Sequence, residues 1–93
     1  LCRAALGQAP VRQASAAFMI TGVGRRIKAK YGNRGIRYML MEAGHVAQNI
    51  CLQAVALDLG AVVIGAFSDR EAADILKLDP EESPLYIIAV GKP

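Results

Sequence analysis

The sequence predicts a small mixed fold of the α/β (α+β) class, in which a small sheet packs against one long central helix. Three observations lead to this prediction. Residues 36–59 contain no proline and a single glycine, so they can form one helix of about six turns. Short uncharged apolar runs lie before and after this segment. The segments follow the order β-α-β-α-β, which is typical of helices layered on a sheet.

The first third of the chain contains one predicted strand. Residues 1–6 are typical of the tail of a helix that ends at Gly7, and we expect Pro10 to prevent the helix from resuming. Residues 16–21 form a continuous uncharged apolar run that ends at glycines, as expected for a buried strand. The basic residues 24–31 that follow can form one or two helical turns.

The predicted central helix is apolar or small on nearly every face of its first half. This pattern is typical of a helix surrounded by protein. Gly44 in its interior costs about 1 kcal/mol relative to alanine, so we expect another helix or a ligand to approach closely there. Gly60 follows the helix, where a left-handed C-cap is expected. Since 54% of the 93 residues are hydrophobic, we also expect a partner surface.

The last third predicts two strands separated by a short helix. Residues 61–64 form an apolar strand that is broken by a glycine. Ser68 and Glu71 have the spacing of an S-x-x-E capping box, so a helix should begin there and end near residue 78. After a turn that contains two prolines, residues 85–90 form the third apolar strand. We interpret residues 1–93 as a single partial domain.

Charge is distributed unevenly along the chain. Eight of the eleven basic residues precede Glu42, whereas all eight acidic residues lie at or after it. Six bases fall within thirteen residues, at Arg25, Arg26, Lys28, Lys30, Arg34 and Arg37. Such a density attracts a phosphate, an acidic substrate or nucleic acid, although a solvated basic loop explains it equally well. Nucleic acid ranks lowest, because only two tyrosines are available there for stacking on bases.

Several classes of function have little support in the sequence. Cys2 and Cys51 match no metal or redox spacing, and His45 is the sole histidine, so no metal site is expected. Neither glycine-rich nucleotide motif is present. No apolar stretch reaches the roughly 18 residues of a membrane span, so we expect a soluble cytoplasmic protein.

Two short segments are candidates for chemistry. Lys30 and Tyr31 are adjacent titratable groups, which suits a general acid/base pair, although a loop lysine beside a packed tyrosine is the common structural alternative. Ile64, Gly65 and Ala66 follow a predicted strand, and their small side chains leave the backbone amides open to a flat ligand. An ordinary glycine turn is the alternative at this second segment.

Five motifs, in this order, resemble the C-terminal half of the nitroreductase superfamily, and within it the SagB-type branch of FMN-dependent azoline dehydrogenases. They are K-Y-G-N-R-G-I-R-Y at residues 30–38, E-A-G-H-V-A-Q-N at 42–49, L-D-L-G-A at 57–61, I-G-A-F at 64–67 and V-G-K-P at 90–93. Together they extend over most of the chain.

The resemblance implies a homodimeric FMN oxidoreductase whose long helix lies at the dimer interface and whose flavin sits between the subunits. It implies that Ile64, Gly65 and Ala66 contact the flavin ring near N5. It also implies that Lys30 and Tyr31 assist proton removal while a hydride passes to FMN. The expected partners are the flavin, a small-molecule or peptide-heterocycle substrate, and NADH or NADPH as a possible reductant.

Two features of the family pattern have no counterpart in the sequence. An Arg-Ser-Arg-type segment that grips the FMN phosphate does not occur, nor does the basic residue that usually follows the Gly-x-Pro ending. We therefore expect the chain to bind FMN poorly unless the preceding half of the domain is supplied. The alternative hypothesis is a non-catalytic, cofactor-less dimerisation or interaction module derived from this family.

Overall fold

A computed structural model describes all 93 residues of the chain. Three strands and four helices follow one another as α1 (Ala9–Gln13), β1 (Ala16–Val23), α2 (Gly24–Tyr31), α3 (Arg34–Ala56), β2 (Gly60–Ile64), α4 (Asp69–Leu76) and β3 (Glu82–Gly91). From β1 onward the order of strands and helices, and the small sheet with one long helix, confirm the predicted fold class.

The three strands form one antiparallel sheet in the order β1-β3-β2. Because β3 lies between the other two, its residues 87–90 are buried. Ile87 and Ile88 are fully buried, one on each face of the sheet. The first packs with Ala5 and Ile64, and the second packs with residues of α3.

β3 begins at Glu82, three residues before the strand predicted from the sequence. This early start depends on pairing with β1, because β2 ends opposite Ile87 and leaves the first part of β3 paired only with β1. Pro84 has no N–H to donate, but proline is tolerated where a strand is paired on one side only. The register shifts there, so that Ile20 pairs with Tyr86 and the next residue of β1 pairs with Pro84.

α3 contacts the sheet through small residues. Ala43, Ala47 and Ala54 are buried along one side of the helix, and Ala47 packs against Ile88 and Val90 of β3. Alanines allow the helix axis to lie close to the sheet, so this short chain can form a core with few large side chains. The helix occupies nearly the predicted range, beginning and ending two to three residues earlier.

The predicted left-handed cap at Gly60 is wrong. Asp58 adopts the left-handed conformation with φ of 59°, and Gly60 is instead the first residue of β2. Aspartate tolerates this conformation better than most residues with a side chain. Gly60 instead leaves room for Pro93, because a Cβ at position 60 would lie only 3.3 Å from Cα of Pro93.

The helix tail predicted for residues 1–6, with no helix resuming at Pro10, is also wrong. Residues 2–7 form turns rather than the tail of a helix, and Pro10 lies in the first turn of α1. Proline is compatible with that position because the first N–H groups of a helix have no intrahelical acceptor. The predicted helix start at Ser68 is confirmed, since Ser68 Oγ accepts a hydrogen bond of 3.3 Å from the Glu71 N–H; the reciprocal bond of a capping box is replaced by one from the Ser68 N–H to the Ala4 carbonyl. α4 ends at Leu76, two residues before the predicted end.

One side of α3, next to its buried alanines, is uncovered and exposes several large apolar side chains, together with Arg37 and Gln48. Its exposed large side chains include Leu40, Met41, Leu52 and Val55, whose exposed fractions range from 53% to 72%. At 100° per residue these four side chains fall within an arc of about 120°. A Cβ on Gly44, which lies within the same arc, would meet no atom within 4 Å. The close approach expected at this glycine is therefore not made within the chain.

Candidate functional site

The turn after β2 is anchored at both ends. Ile64, the last residue of β2, is 4% exposed and packs with Ala5 and Ile87. Beyond it, the Ala66 carbonyl accepts a hydrogen bond of 2.8 Å from Gln8 Nε2. The Ser68 N–H donates a bond of 2.6 Å to a carbonyl of the N-terminal turns. These contacts fix the turn on the N-terminal segment.

Gly65 and Ala66 are exposed within this anchored turn. Their N–H groups, and that of Phe67, donate no hydrogen bond within the chain. A Cβ on Gly65 would meet the Tyr86 ring at 3.6 Å, which is ordinary contact, so no neighbour within the chain requires a glycine here. Successive free amides on a fixed turn form a donor site for an acceptor atom of a ligand.

Lys30 and Tyr31 are the last two residues of α2. Both side chains are exposed, Tyr31 to 46%, and Lys30 Nζ lies 5.3 Å from the centroid of the Tyr31 ring. α2 ends there because Gly32 adopts φ of 66°, and its N–H donates a hydrogen bond of 2.7 Å to the Lys28 carbonyl. The predicted pair is thus held together at a helix terminus.

Two further residues complete this cluster. The rings of Tyr31 and Tyr38 meet edge to face, with centroids 5.1 Å apart and planes at 89°. Arg34 Nε donates a hydrogen bond of 2.9 Å to the Tyr38 hydroxyl, and its guanidinium carbon lies 5.7 Å from the Tyr38 ring centroid. We did not predict Arg34 and Tyr38 as site residues. Their i, i+4 spacing on α3 is the signal that could have identified them.

An open cleft of about 460 Å³ lies between α2, α3 and the adjoining parts of β1 and β3. Apolar side chains such as Ile27, Met39 and Leu85 line it, and charged groups are Arg26, Lys30, Glu42 and Glu82. The Thr21 hydroxyl donates a hydrogen bond to the Glu82 carboxylate at this site. Lys30 therefore faces a space of the size that small ligands occupy.

The two predicted halves of the site do not share a cavity in one chain. The cleft includes Lys30 but none of Ile64, Gly65 and Ala66. α2 packs on α3, whereas the turn follows β2 at the other edge of the sheet from β1. In a single chain the two segments therefore line different surfaces.

Most of the basic segment has no acidic partner. Arg25 forms an exposed salt bridge of 2.8 Å with Glu81, and no other side-chain pair of opposite charge lies within 4 Å. The fold brings together no group of three or more histidine, cysteine, aspartate or glutamate residues able to hold a metal ion. None of the helices has both the length and the apolarity needed to cross a membrane.

Comparison with known proteins gives a consistent result. The family model described as "Nitroreductase family" matches residues 2–92. A Methanocaldococcus jannaschii protein named "Putative nitroreductase MJ1384" is 45% identical over 92 residues, covering 99% of this chain and 46% of the relative.

Two solved structures show the same fold. The crystal structure of a nitroreductase, also named as putative, from Anabaena variabilis has a TM-score of 0.90 and 36% identity, covering 99% of this chain and 19% of the other. The Escherichia coli microcin synthetase complex McbBCD, with truncated pro-MccB17 bound, has a TM-score of 0.79 and 29% identity, covering 83% of this chain and 29% of the other.

The chain spans about half the length of the curated relative that it matches. Proteins of the matching family are commonly homodimeric flavin enzymes, and they generally use FMN with NAD(P)H as the reductant. The match to the family model extends over almost the whole chain, and the long helix, the sheet and the turn after β2 all lie within it. The chain therefore belongs to the nitroreductase family.

Proposed function

We propose that the chain forms the ring-binding part of an FMN site in a SagB-type dehydrogenase, as the C-terminal half of a nitroreductase domain. The observation that carries this proposal is the anchored turn after β2, where the N–H groups of Gly65 and Ala66 have no acceptor within the chain. Membership of the nitroreductase family supports flavin chemistry, and the free amides of the turn support a position for the flavin ring beside it.

The turn fits an isoalloxazine ring on two grounds. Gly65 and Ala66 have little or no side chain, so a planar group can lie against the backbone. Their amides are donors, and the ring carries acceptor nitrogen and carbonyl atoms along one edge. Bound FMN would accept or donate a hydride, and the two N–H groups would stabilise negative charge that develops on the ring.

Lys30 and Tyr31 are proposed to move the proton that accompanies hydride transfer. Oxidation of a thiazoline to a thiazole removes one hydride and one proton from the substrate, so a base is required near the thiazoline carbon that loses the proton. Both residues are exposed, Lys30 Nζ lies 5.3 Å from the centroid of the Tyr31 ring, and Lys30 lines the cleft. A peptide heterocycle as substrate is supported by the similarity to McbBCD, whose structure contains a bound precursor peptide.

A homodimer is proposed to join the two segments. The uncovered apolar side of α3, which includes Leu40, Leu52 and Val55, supports this arrangement because a second copy would bury it. Gly44 lies on the same side, with free space where a second helix could approach. In such a dimer the turn of one subunit can meet Lys30 and Tyr31 of the other.

The test is flavin retention by the full-length protein encoded by the gene that contains this sequence. We expect a yellow protein with one FMN per subunit, and we expect Ala66→Pro, which removes an N–H donor, to weaken flavin binding. Ala66→Gly keeps the N–H donor at the same position and adds no side-chain atom, so it serves as the matched control. A protein that takes up no added FMN would contradict the proposal.

The alternative, a cofactor-less dimerisation module, is favoured by one observation, the uncovered face of α3. It predicts a stable dimer in sedimentation that binds no flavin at any concentration tested. Lys30→Ala and Tyr31→Phe separate the two functions further. In the flavoprotein both substitutions lower turnover while the flavin content stays unchanged, whereas in an interaction module neither has any turnover to lower.

A further inference from the structure

We propose that Arg34 and Tyr38 are positioning residues that hold the Tyr31 side chain in one orientation. This inference rests on the proposed function of Tyr31, and it extends that function to two residues that would act only through the Tyr31 side chain. The geometry forms a chain of contacts. Arg34 donates a hydrogen bond to the Tyr38 hydroxyl, and the Tyr38 ring meets the Tyr31 ring edge to face.

Tyr31 needs such support because of its place in the fold. It is the last residue of α2, it is 46% exposed, and Gly32 directly follows it. A half-exposed side chain at a helix end can adopt several rotamers at little cost. A proton-transferring hydroxyl must instead be held close to one productive geometry, since a small displacement reduces the rate strongly.

Tyr38 can supply this support because it is itself fixed at two points. Arg34 and Tyr38 are four residues apart on α3, so they lie on the same side of the helix. The hydrogen bond of 2.9 Å fixes the Tyr38 hydroxyl, and the guanidinium group 5.7 Å from the ring centroid packs on the ring. An edge-to-face contact of this kind changes the population of one rotamer by about 2- to 10-fold.

Tyr38→Leu is the main test, made in the flavin-loaded full-length protein with a synthetic peptide that carries one thiazoline ring. We expect kcat for thiazole formation to fall by about 3- to 10-fold, with KM and flavin content unchanged. Tyr38→Phe keeps the ring but removes the hydroxyl that Arg34 binds, so kcat should fall by about twofold, less than in Tyr38→Leu. Arg37→Gln removes a neighbouring charge that forms no hydrogen bond or cation–π contact with either tyrosine, and it serves as the control for electrostatics.

A double substitution separates positioning from a general loss of structure. In a Tyr31→Phe background the hydroxyl is gone, so adding Tyr38→Leu should lower kcat no further. If Tyr38→Leu lowers kcat by the same factor in both backgrounds, or lowers it in neither, the proposal is overturned. Loss of activity in Tyr38→Phe as large as in Tyr38→Leu would overturn the role of the ring contact.

A readout independent of turnover distinguishes failure of this inference from failure of the proposed function. With 3-fluorotyrosine at position 31, we expect a fluorine resonance displaced from that of the free amino acid, and Tyr38→Leu should move it toward the free value. An unchanged resonance would show that Tyr38 does not position Tyr31. A changed resonance, combined with full turnover in Tyr31→Phe, would instead contradict the catalytic role of Tyr31.

Discussion

Gly35→Ala should destabilise the protein by separating α2 from α3. Gly35 is buried at the start of α3, and a Cβ there would lie 2.8 Å from the Ile27 carbonyl oxygen. That oxygen belongs to the backbone of α2, so no side-chain rotation can relieve the clash. Overpacking of this kind costs about 1–3 kcal/mol. With about 2 kcal/mol for the clash, the middle of this range, and a gain in helix propensity from alanine of at most about 1 kcal/mol, we expect a net loss of about 1–2 kcal/mol.

Gly24→Ala is the matched control. Its Cβ would lie 2.9 Å from the Ile36 Cδ1 atom, which is nearly the same distance, but this neighbour is the end of a flexible side chain. Rotation of Ile36 can relieve the contact, so the cost should stay below about 1 kcal/mol. The comparison therefore tests whether the backbone contact between α2 and α3 has the geometry described, and not only whether glycine is required.

Thermal unfolding of the flavin-loaded full-length protein, followed by circular dichroism, is the assay. In a protein as long as the curated relative, of which the 92 matched residues are 46%, 1 kcal/mol corresponds to about 2–4 °C in Tm, so Gly35→Ala should lower Tm by about 2–8 °C. Gly24→Ala should lower it by less than about 4 °C. Equal shifts for the two variants, or a higher Tm for Gly35→Ala, would refute the reasoning from the Ile27 contact.

Three further predictions follow from single contacts. Ser68→Ala removes the cap of α4 and should destabilise the protein by about 0.5–2 kcal/mol, while Ser68→Thr should retain most of the stability in urea unfolding. Ile87→Val should cost about 0.5–1.5 kcal/mol and Ile87→Ala about 2–5 kcal/mol, and equal costs would argue against its full burial. Val55→Asp places a charge on the uncovered face of α3, so it should convert the proposed dimer to monomers in sedimentation, whereas Asp58→Asn at the helix end should leave the sedimentation unchanged.

The sequence was sufficient for the elements that depend on local patterns. The long apolar segment without proline predicts α3, and Ser68 with Glu71 predicts the start of α4. The strand order was not predictable in the same way, because pairing of β1 with β3 joins residues about 65 positions apart. The early start of β3 also depends on that pairing, since Pro84 is tolerated only where β2 has already ended.

The sequence also indicated the residues of the candidate site, but not the contacts that they make in the folded chain. Small residues after a strand indicated the turn at Gly65 and Ala66, but only the hydrogen bonds of the folded chain show that its amides are free. Lys30 and Tyr31 were found as an adjacent pair. The contact between Tyr31 and Tyr38 depends on how α2 packs against α3, and the sequence does not specify that angle.

Amide hydrogen exchange at Gly65 and Ala66 tests the central proposal most directly. Both N–H groups lack an acceptor within the chain, so they should exchange rapidly in the flavin-free full-length protein. If they donate hydrogen bonds to the flavin ring, adding FMN should slow their exchange by about tenfold or more, while exchange at exposed residues of α4 stays unchanged. Rapid exchange at both positions in the fully flavin-loaded protein would contradict the assignment of this turn to the flavin.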